Sequence, residues 1–266
     1  MRDASRSRTA GLSGDRLALL IRILLVGGFV SFWEFAVRMK WWNRGDVSAP
    51  TLIAGKISGW IFSGYLWPHL SRTLQEVVIG FALGLIVATI TGFALGRNRL
   101  LGAIFEPILG ALNAVPRIVL APLLILWFGI GIASKVALSF LMVFFVVIFA
   151  VMNGIREVDR ALVHNALIMG ATPRQLDRYV YLPAALTWIF GSLRLAIGFA
   201  FTAAIVGEFL LSSRGLGYLL NAAQNSFDST GMMAGLAVLM VIIGALNAVA
   251  ARIERKASLW KTARNK

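Results

Sequence analysis

His69 and His164 are the only histidines in this 266-residue chain, and it has no cysteine. Disulfides, thiol nucleophiles and thiolate metal sites are therefore excluded together, and two isolated histidines disfavour an imidazole-built metal centre. No His-x-x-x-His pair or paired-carboxylate constellation marks an enzyme, so no catalytic residue and no metal ligand is expected. What remains is ionic chemistry. Arg117 stands in "LNAVPRIVLAP", where Pro116 and Pro122 interrupt the local backbone, and an arginine fork there could pair a carboxylate or sulfonate. The alternative is a structural ion pair with Glu208, or a cap on a neighbouring helix. Arg194 reads similarly, as a holder of Glu157 or Asp159 or as a group facing a solute.

The elements that must position these groups are apolar. Hydrophobic residues make up 58% of the chain and charged ones 14%, against about 25% charge in an ordinary soluble domain. The apolar excess is clustered into runs long enough to cross a bilayer. Six are readable: Leu17–Val37, Leu74–Leu95, Ile104–Trp127, Val136–Met152, Leu186–Phe209 and Met233–Ala251. The first follows an arm with Arg2, Arg6, Arg8 and Arg16 but lacks a small-residue cleavage pattern, which favours an uncleaved span over a signal peptide. Between the first two spans, Lys40–Arg72 carries Trp41, Trp42, Trp60 and Trp67, the pattern of a segment lying along the interface, and "SAPTL" at 48–52 reads as a loop opening a helix. Gly80, Gly84, Gly92 and Gly96 recur at helical spacing, which permits close helix contact in lipid, although glycine is common in membrane helices generally.

Net charge is +14. Nucleic acid is not the expected partner, because the basic residues flank the apolar runs; anionic lipid headgroups account for them. With the N-terminus inside, the inner segments hold sixteen lysines and arginines and the outer ones seven, among them Arg38, Lys40, Arg44 and Lys135. Both termini are therefore expected in the cytoplasm. Glu34, Glu76 and Glu106 lie in or near span ends and are expected to reach the interface. Irregular backbone at depth is tolerated against protein or a water-filled cavity, which makes Asn113, Pro116, Arg117, Arg194 and Glu208 candidates for a pathway through the membrane.

One polar module interrupts the apolar chain. In "DRALVHNALIMGATPRQLDRYVYLP", Asp159 can cap a helix from Arg160, with Leu162, Ala166 and Met169 on one face. Gly170 can end it in the left-handed conformation. Thr172, Pro173 and Gln175 form the cap, first turn and third position of a capping box. Pro183 is expected to break that helix and open the next span. Two short helices at a sharp angle make a rigid knuckle, suited to being pushed by a second protein; an amphipathic hairpin resting on the membrane is the other reading.

The spacing Gly170, nine residues, Val180-x-Leu182-Pro183 resembles the EAA loop of ATP-binding-cassette (ABC) importer permeases, with His164, Asn165 and Ala166 at the Glu-Ala-Ala positions. Segments 116–135, 154–159, 191–201, 206–220 and 253–260 are similar to the nitrate/sulfonate/taurine, binding-protein-dependent branch of type-1 importers. The resemblance spans residues 48–260. It implies an all-α polytopic permease fold in a bacterial inner membrane. The units would be 1–66 (arm, first span and outer segment), 67–252 (transmembrane domain with its coupling loop at 156–183) and 253–266 (basic tail). It also implies a dimer of permease subunits, two cytoplasmic ATPases and an external solute-binding protein. ATP and Mg would be held by the ATPases, since the chain has no Gly-x-x-x-x-Gly-Lys-Ser/Thr cradle. The ATPase-coupling loop would comprise His164, Asn165, Ala166, Gly170, Ala171, Thr172, Pro173, Leu182 and Pro183. A small anionic solute is expected, sulfonate-, taurine- or nitrate-like or a related organic nutrient, and small heterocyclic vitamin precursors are also compatible. Residues 212–227 would fold back to the pore mouth or meet the binding protein. A stand-alone secondary transporter using Glu208 and Arg117 as a proton relay is the alternative.

Overall fold

A computed structural model describes residues 4–42 and 46–264, with side chains described for residues 17–42, 46–252 and Glu254. The expectations at Arg2, Arg44 and the last two residues of the basic tail lie outside the described residues. Among these, regular structure is helical: α1 (Ala4–Arg38), α2 (Pro50–Phe62), α3 (Leu66–Arg97), α4 (Arg99–Ala114), a 3-10 turn (Arg117–Leu120), α5 (Ala121–Phe128) and α6 (Ile132–Arg156) form the first half. They are followed by α7 (Arg160–Ile168), α8 (Pro173–Leu176), a π turn (Asp177–Tyr181), α9 (Leu182–Leu210), α10 (Leu216–Asn225) and α11 (Ser229–Arg264).

Among the described residues, five helices are long and apolar enough to cross a membrane, and a sharply bent pair is either a sixth, broken span or a re-entrant loop. The run Ile104–Trp127 is not a single helix: α4 and the segment Arg117–Phe128 meet at 81°. The cause is local. Proline excludes the α conformation from the residue before it, and Val115 is accordingly extended (φ −69°, ψ 130°) ahead of Pro116. Pro122 falls in the first turn of α5, where its missing N–H is harmless. The second span begins at Leu66, earlier than its hydropathy suggests, because Pro68 is tolerated in a first turn and the polar His69 and Arg72 still belong to the helix.

The core is the packing of α3, α6 and α9. Lipid is as apolar as leucine, so close approach rather than water exclusion must hold helices together there. The glycine stripe of α3 supplies it. A Cβ added at Gly84 would lie 2.8 Å from Cβ of Val143, one at Gly92 3.0 Å from Cβ of Val151 and one at Gly96 2.9 Å from Cδ1 of Ile155. Each glycine therefore seats a residue of α6, which favours close contact over mere compositional bias. Helices α10 and α11 pack on α9.

Polar ties close the rim. The Glu34 carboxylate accepts from the backbone N–H of Thr51 at 3.0 Å and from its hydroxyl at 2.8 Å, and Arg38 Nε lies 2.6 Å from it. Since α2 starts after Ala49, which has no capping side chain, Glu34 of α1 satisfies a first-turn donor of α2. Lys56 pairs with Asp228 at 3.0 Å, and the Ser48 and Thr230 hydroxyls meet at 2.8 Å, joining α2 to the start of α11. The expectation that Glu76 reaches the interface is corrected: its residue is 0% exposed.

Candidate functional site: a knuckle and a cavity on shared helices

The knuckle is built by capping chemistry. Asp159 Oδ1 accepts from the N–H of Ala161 at 2.8 Å. At the other end of α7, Gly170 adopts φ +83°. Its N–H donates to Leu167 O (2.9 Å), and the N–H of Ala171 donates to Ala166 O (3.0 Å). Those are the two bonds of a Schellman stop. Thr172 N–H then donates to Gln175 Oε1 (2.7 Å), and Gln175 N–H to Thr172 Oγ1 (3.3 Å), closing the capping box that starts α8 at Pro173. No part of α7 is buried, and Leu162, Leu167, Ile168 and Met169 are all exposed. His164 and Asn165 are exposed, and Ala166 is half-buried against the turn at Gly170 and Ala171.

The helix does not break at Leu182–Pro183. It runs on from α8 through the π turn into α9, so that residues 173–210 form one 38-residue unit. The Leu182 N–H reaches back to Asp177 O, a wider turn that accommodates a ring lacking its own donor.

Two ion pairs brace this module. Arg97, the last residue of α3, places Nε 2.7 Å from Asp177 Oδ1 and its guanidinium 4.7 Å from the centre of the Tyr181 ring. Arg156, the last residue of α6, grips Glu106 of α4 with both nitrogens, at 2.5 and 2.6 Å. Such two-point arginine–carboxylate pairs fix orientation as well as distance.

Behind the knuckle lies a cavity of about 730 Å³ between the α4–α5 bend, α6 and α9. Helix α6 contributes Phe145, Phe149 and Asn153, and its capping residue Glu157 continues the spacing of four, hence one stripe. Helix α9 contributes Thr187, Trp188 and Ser192. Asn113 and Arg117 enter from the bend. Arg117 Nη2 donates to Asn113 Oδ1 at 2.7 Å, its guanidinium lies 5.0 Å over the Phe145 ring, and Nη1 is buried without a partner among the described residues. Pro116 makes the bend that presents it.

Two of the candidate residues lie elsewhere. Arg194 is exposed and faces Glu254 at 3.5 Å, not Glu157 or Asp159, because its position on α9 points toward α11 rather than α6. Glu208 does not pair with Arg117. It is 0% exposed at the far end of α9, where Oε1 accepts from Thr73 Oγ1 (2.6 Å) and Oε2 from the N–H of Gly217 (2.8 Å). Around it stand Glu76, with Arg72 Nε at 2.9 Å, and Lys135, whose Nζ donates to the carbonyls of Ile130 (2.5 Å) and Leu211 (2.7 Å). The hydroxyl of Thr73 accepts from Leu216 N–H at 2.9 Å, and His69 Nδ1 from Gly215 N–H at 3.1 Å. Three successive N–H groups at the start of α10 are thus held by side chains, and segment 212–227 folds back into the bundle as a short helix.

Residues 80–258 match the family described as binding-protein-dependent transport system inner membrane component. The chain belongs to this family. It is the permease subunit of an ABC importer and a multi-pass inner-membrane protein, and the family works with ATPase and binding-protein partners. The chain is 37% identical to the riboflavin transport system permease protein RibX of Chloroflexus aurantiacus, over 92% of this chain and 90% of that one. It is 30% identical to the putative aliphatic sulfonates transport permease protein SsuC of Bacillus subtilis, over 90% and 87%. The fold matches a chain of the MetNI methionine ABC transporter in its inward-facing conformations, with a TM-score of 0.60, 20% identity, and coverage of 75% of this chain and 97% of that chain.

Proposed function

We propose that two copies of this permease line one pathway, with both termini in the cytoplasm. In this reading the α7–α8 knuckle sits in a groove of each of two cytoplasmic ATPases, which hold ATP and Mg. An external solute-binding protein delivers the solute to the opposite face. The cavity at Arg117 is the pathway's solute-contacting wall, and the solute is a small, planar ring compound with an acidic or carbonyl edge.

The lining of the cavity carries the solute assignment. Its volume is in the range of small-molecule sites, about 300–1,000 Å³. Phe149 and Trp188 offer aromatic faces, which stack on flat rings, and the buried Phe145 ring carries Arg117. The single guanidinium rests on Phe145, and its Nη1 is buried without a partner among the described residues, so a turn of the side chain into the cavity would give it an acceptor on the edge of the solute. A bare oxyanion would need several donors to replace its hydration shell; the three aromatic side chains provide one, the indole N–H of Trp188, and the Glu157 carboxyl on the same wall opposes a bare anion. RibX, whose named cargo is riboflavin, fits this lining better than SsuC, whose named cargo is aliphatic sulfonates.

The test is uptake into proteoliposomes holding the permease, its ATPase and the external receptor. Riboflavin and an aliphatic sulfonate serve as competing probes. ATP-dependent uptake of the ring compound is expected. Arg117→Ala should lower it about tenfold, the scale of one lost charge-assisted hydrogen bond, without loss of ATPase docking. Uptake by the lone chain on an ion gradient would overturn the importer mechanism, and sulfonate uptake alone would overturn the ring assignment.

A further inference from the structure

We propose that a basic pocket on the bundle-facing side of α7 binds the phosphate headgroup of an anionic phospholipid. The pocket encloses about 320 Å³ where two spans end together: Arg97 closes α3, Arg156 closes α6, and Arg160 and His164 face them from α7. Tyr181 completes the wall. Helices that cross a bilayer end near its headgroups, so the pocket lies at the depth where lipid phosphates are concentrated.

Charge decides what it holds. Arg97 is committed to Asp177, and both carboxylate oxygens of Glu106 are taken by Arg156. Asp159 is turned to its cap on Ala161, and Glu157 lines the cavity on the other side of α6. The side chains of Arg160 and His164 have no hydrogen bond or ion pair among the described residues. One arginine is therefore left uncompensated, matching the single negative charge of a phosphodiester. Where the loop this segment resembles carries an acid, this chain carries His164, so no carboxylate on that face of α7 cancels Arg160.

The geometry leaves the knuckle available to its motor. Residues 160, 164 and 167 share one face of α7, while Leu162 and Met169 lie about 180° away. A headgroup held beneath α7 would fasten α7 to the ends of α3 and α6, so the pocket is a lipid-dependent anchor for the part that is pushed.

The experiment uses the full chain with its co-expressed ATPase, exchanged into nanodiscs of phosphatidylcholine with a minor share of phosphatidylglycerol. Native mass spectrometry then counts the lipids that stay bound. Phosphatidylglycerol should be retained selectively. Arg160→Ala should weaken retention about fivefold, the value of one arginine near an anionic surface, and Arg160→Glu more. Arg160→Lys should keep most of it, which separates lost charge from lost folding. Equal retention in Arg160→Glu would overturn the proposal. So would displacement of the bound lipid by inorganic phosphate, which would mark a site for soluble anions. Capture of the ATPase is read in the same samples, so failure of the lipid site is distinguishable from failure of the complex.

Discussion

Replacing Gly170 tests the knuckle without disturbing any contact. An added Cβ at this position would meet nothing within 4 Å, yet φ is +83°. The cost is therefore conformational: about 1–2 kcal/mol for a residue with a Cβ held in the left-handed region. For a two-state stop that amounts to a shift of about 5- to 30-fold toward forms in which the bonds Gly170–Leu167 and Ala171–Ala166 are open. Alanine should show this effect, valine a larger one, and asparagine a smaller one, because asparagine visits the left-handed region more readily. Hydrogen exchange at the amides of residues 170 and 171 measures the opening directly, and ATP-dependent uptake by the reconstituted complex reports its consequence. Exchange should rise and uptake fall in the order Asn, Ala, Val, while the melting of the bundle stays near wild type, since no part of α7 is buried. If the Gly170→Val protein exchanges like wild type and transports normally, the stop is not what holds the knuckle.

Three further outcomes follow from the packing and the rim. Gly84→Leu should lower the melting temperature in detergent through overpacking of about 1–3 kcal/mol or more, because even its Cβ would lie 2.8 Å from Val143; an unchanged melt would mean that α3 and α6 can separate freely. Glu208→Ala should destabilise by about 1–3 kcal/mol for the buried N–H of Gly217 left unpaired, since the Thr73 hydroxyl can still donate to the His69 carbonyl at 3.2 Å, while Glu208→Gln should lose less, and equal losses would refute the hydrogen-bond account. Asp228 is held below the usual carboxylate range by the N–H of Gly231 and then by Lys56. A lowered folded value means that its contribution is complete above the unfolded value of about 3.9 and disappears as pH falls through the folded one. Asp228→Asn should therefore narrow the gap to wild type in acid melts and leave it constant between pH 5 and 7.

The parts legible in the sequence are those whose partners are near in sequence. Asp159, Gly170, Thr172 and Gln175 act within three residues, and the structure places each as its spacing requires. Pro183 stands in the first turn of α9, as its spacing suggests, but it ends no helix, because a π turn just before it lets the chain continue. The burial of Glu76 and Glu208 is illegible for the opposite reason. Glu208 finds Thr73 across 135 residues of sequence, and nothing local distinguishes a carboxyl that will be buried from one that will reach water. The cavity stripe was present in the sequence as Phe145, Phe149, Asn153 and Glu157, but its aromatic half has the same composition as a lipid-facing surface. Its polar half, two groups four residues apart at the end of an apolar run, was the signal available.

The two helices that line the cavity are also the two that are fixed at one end and gripped at the other. Helix α9 is pinned at Glu208 to Thr73 and Gly217, and α6 is pinned near Lys135, which ties it to Leu211 at the end of α9. At their opposite ends, Arg156 holds α6 to Glu106, and the continuous helix from Pro173 joins α9 to the knuckle. Take the pin at Glu208 as a pivot. At 1.5 Å per residue, Trp188 lies about 30 Å along the lever and Pro173 about 50 Å. A sideways push at the knuckle then reaches the cavity wall at about six-tenths of its amplitude, so a 5 Å stroke would move Trp188 by about 3 Å. That is close to the thickness of one stacked ring, enough to open or close an aromatic slot. In the proposed coupling, a flexible break at Pro183 would dissipate such a stroke before it reached Trp188, whereas the π turn keeps the helix continuous past that proline.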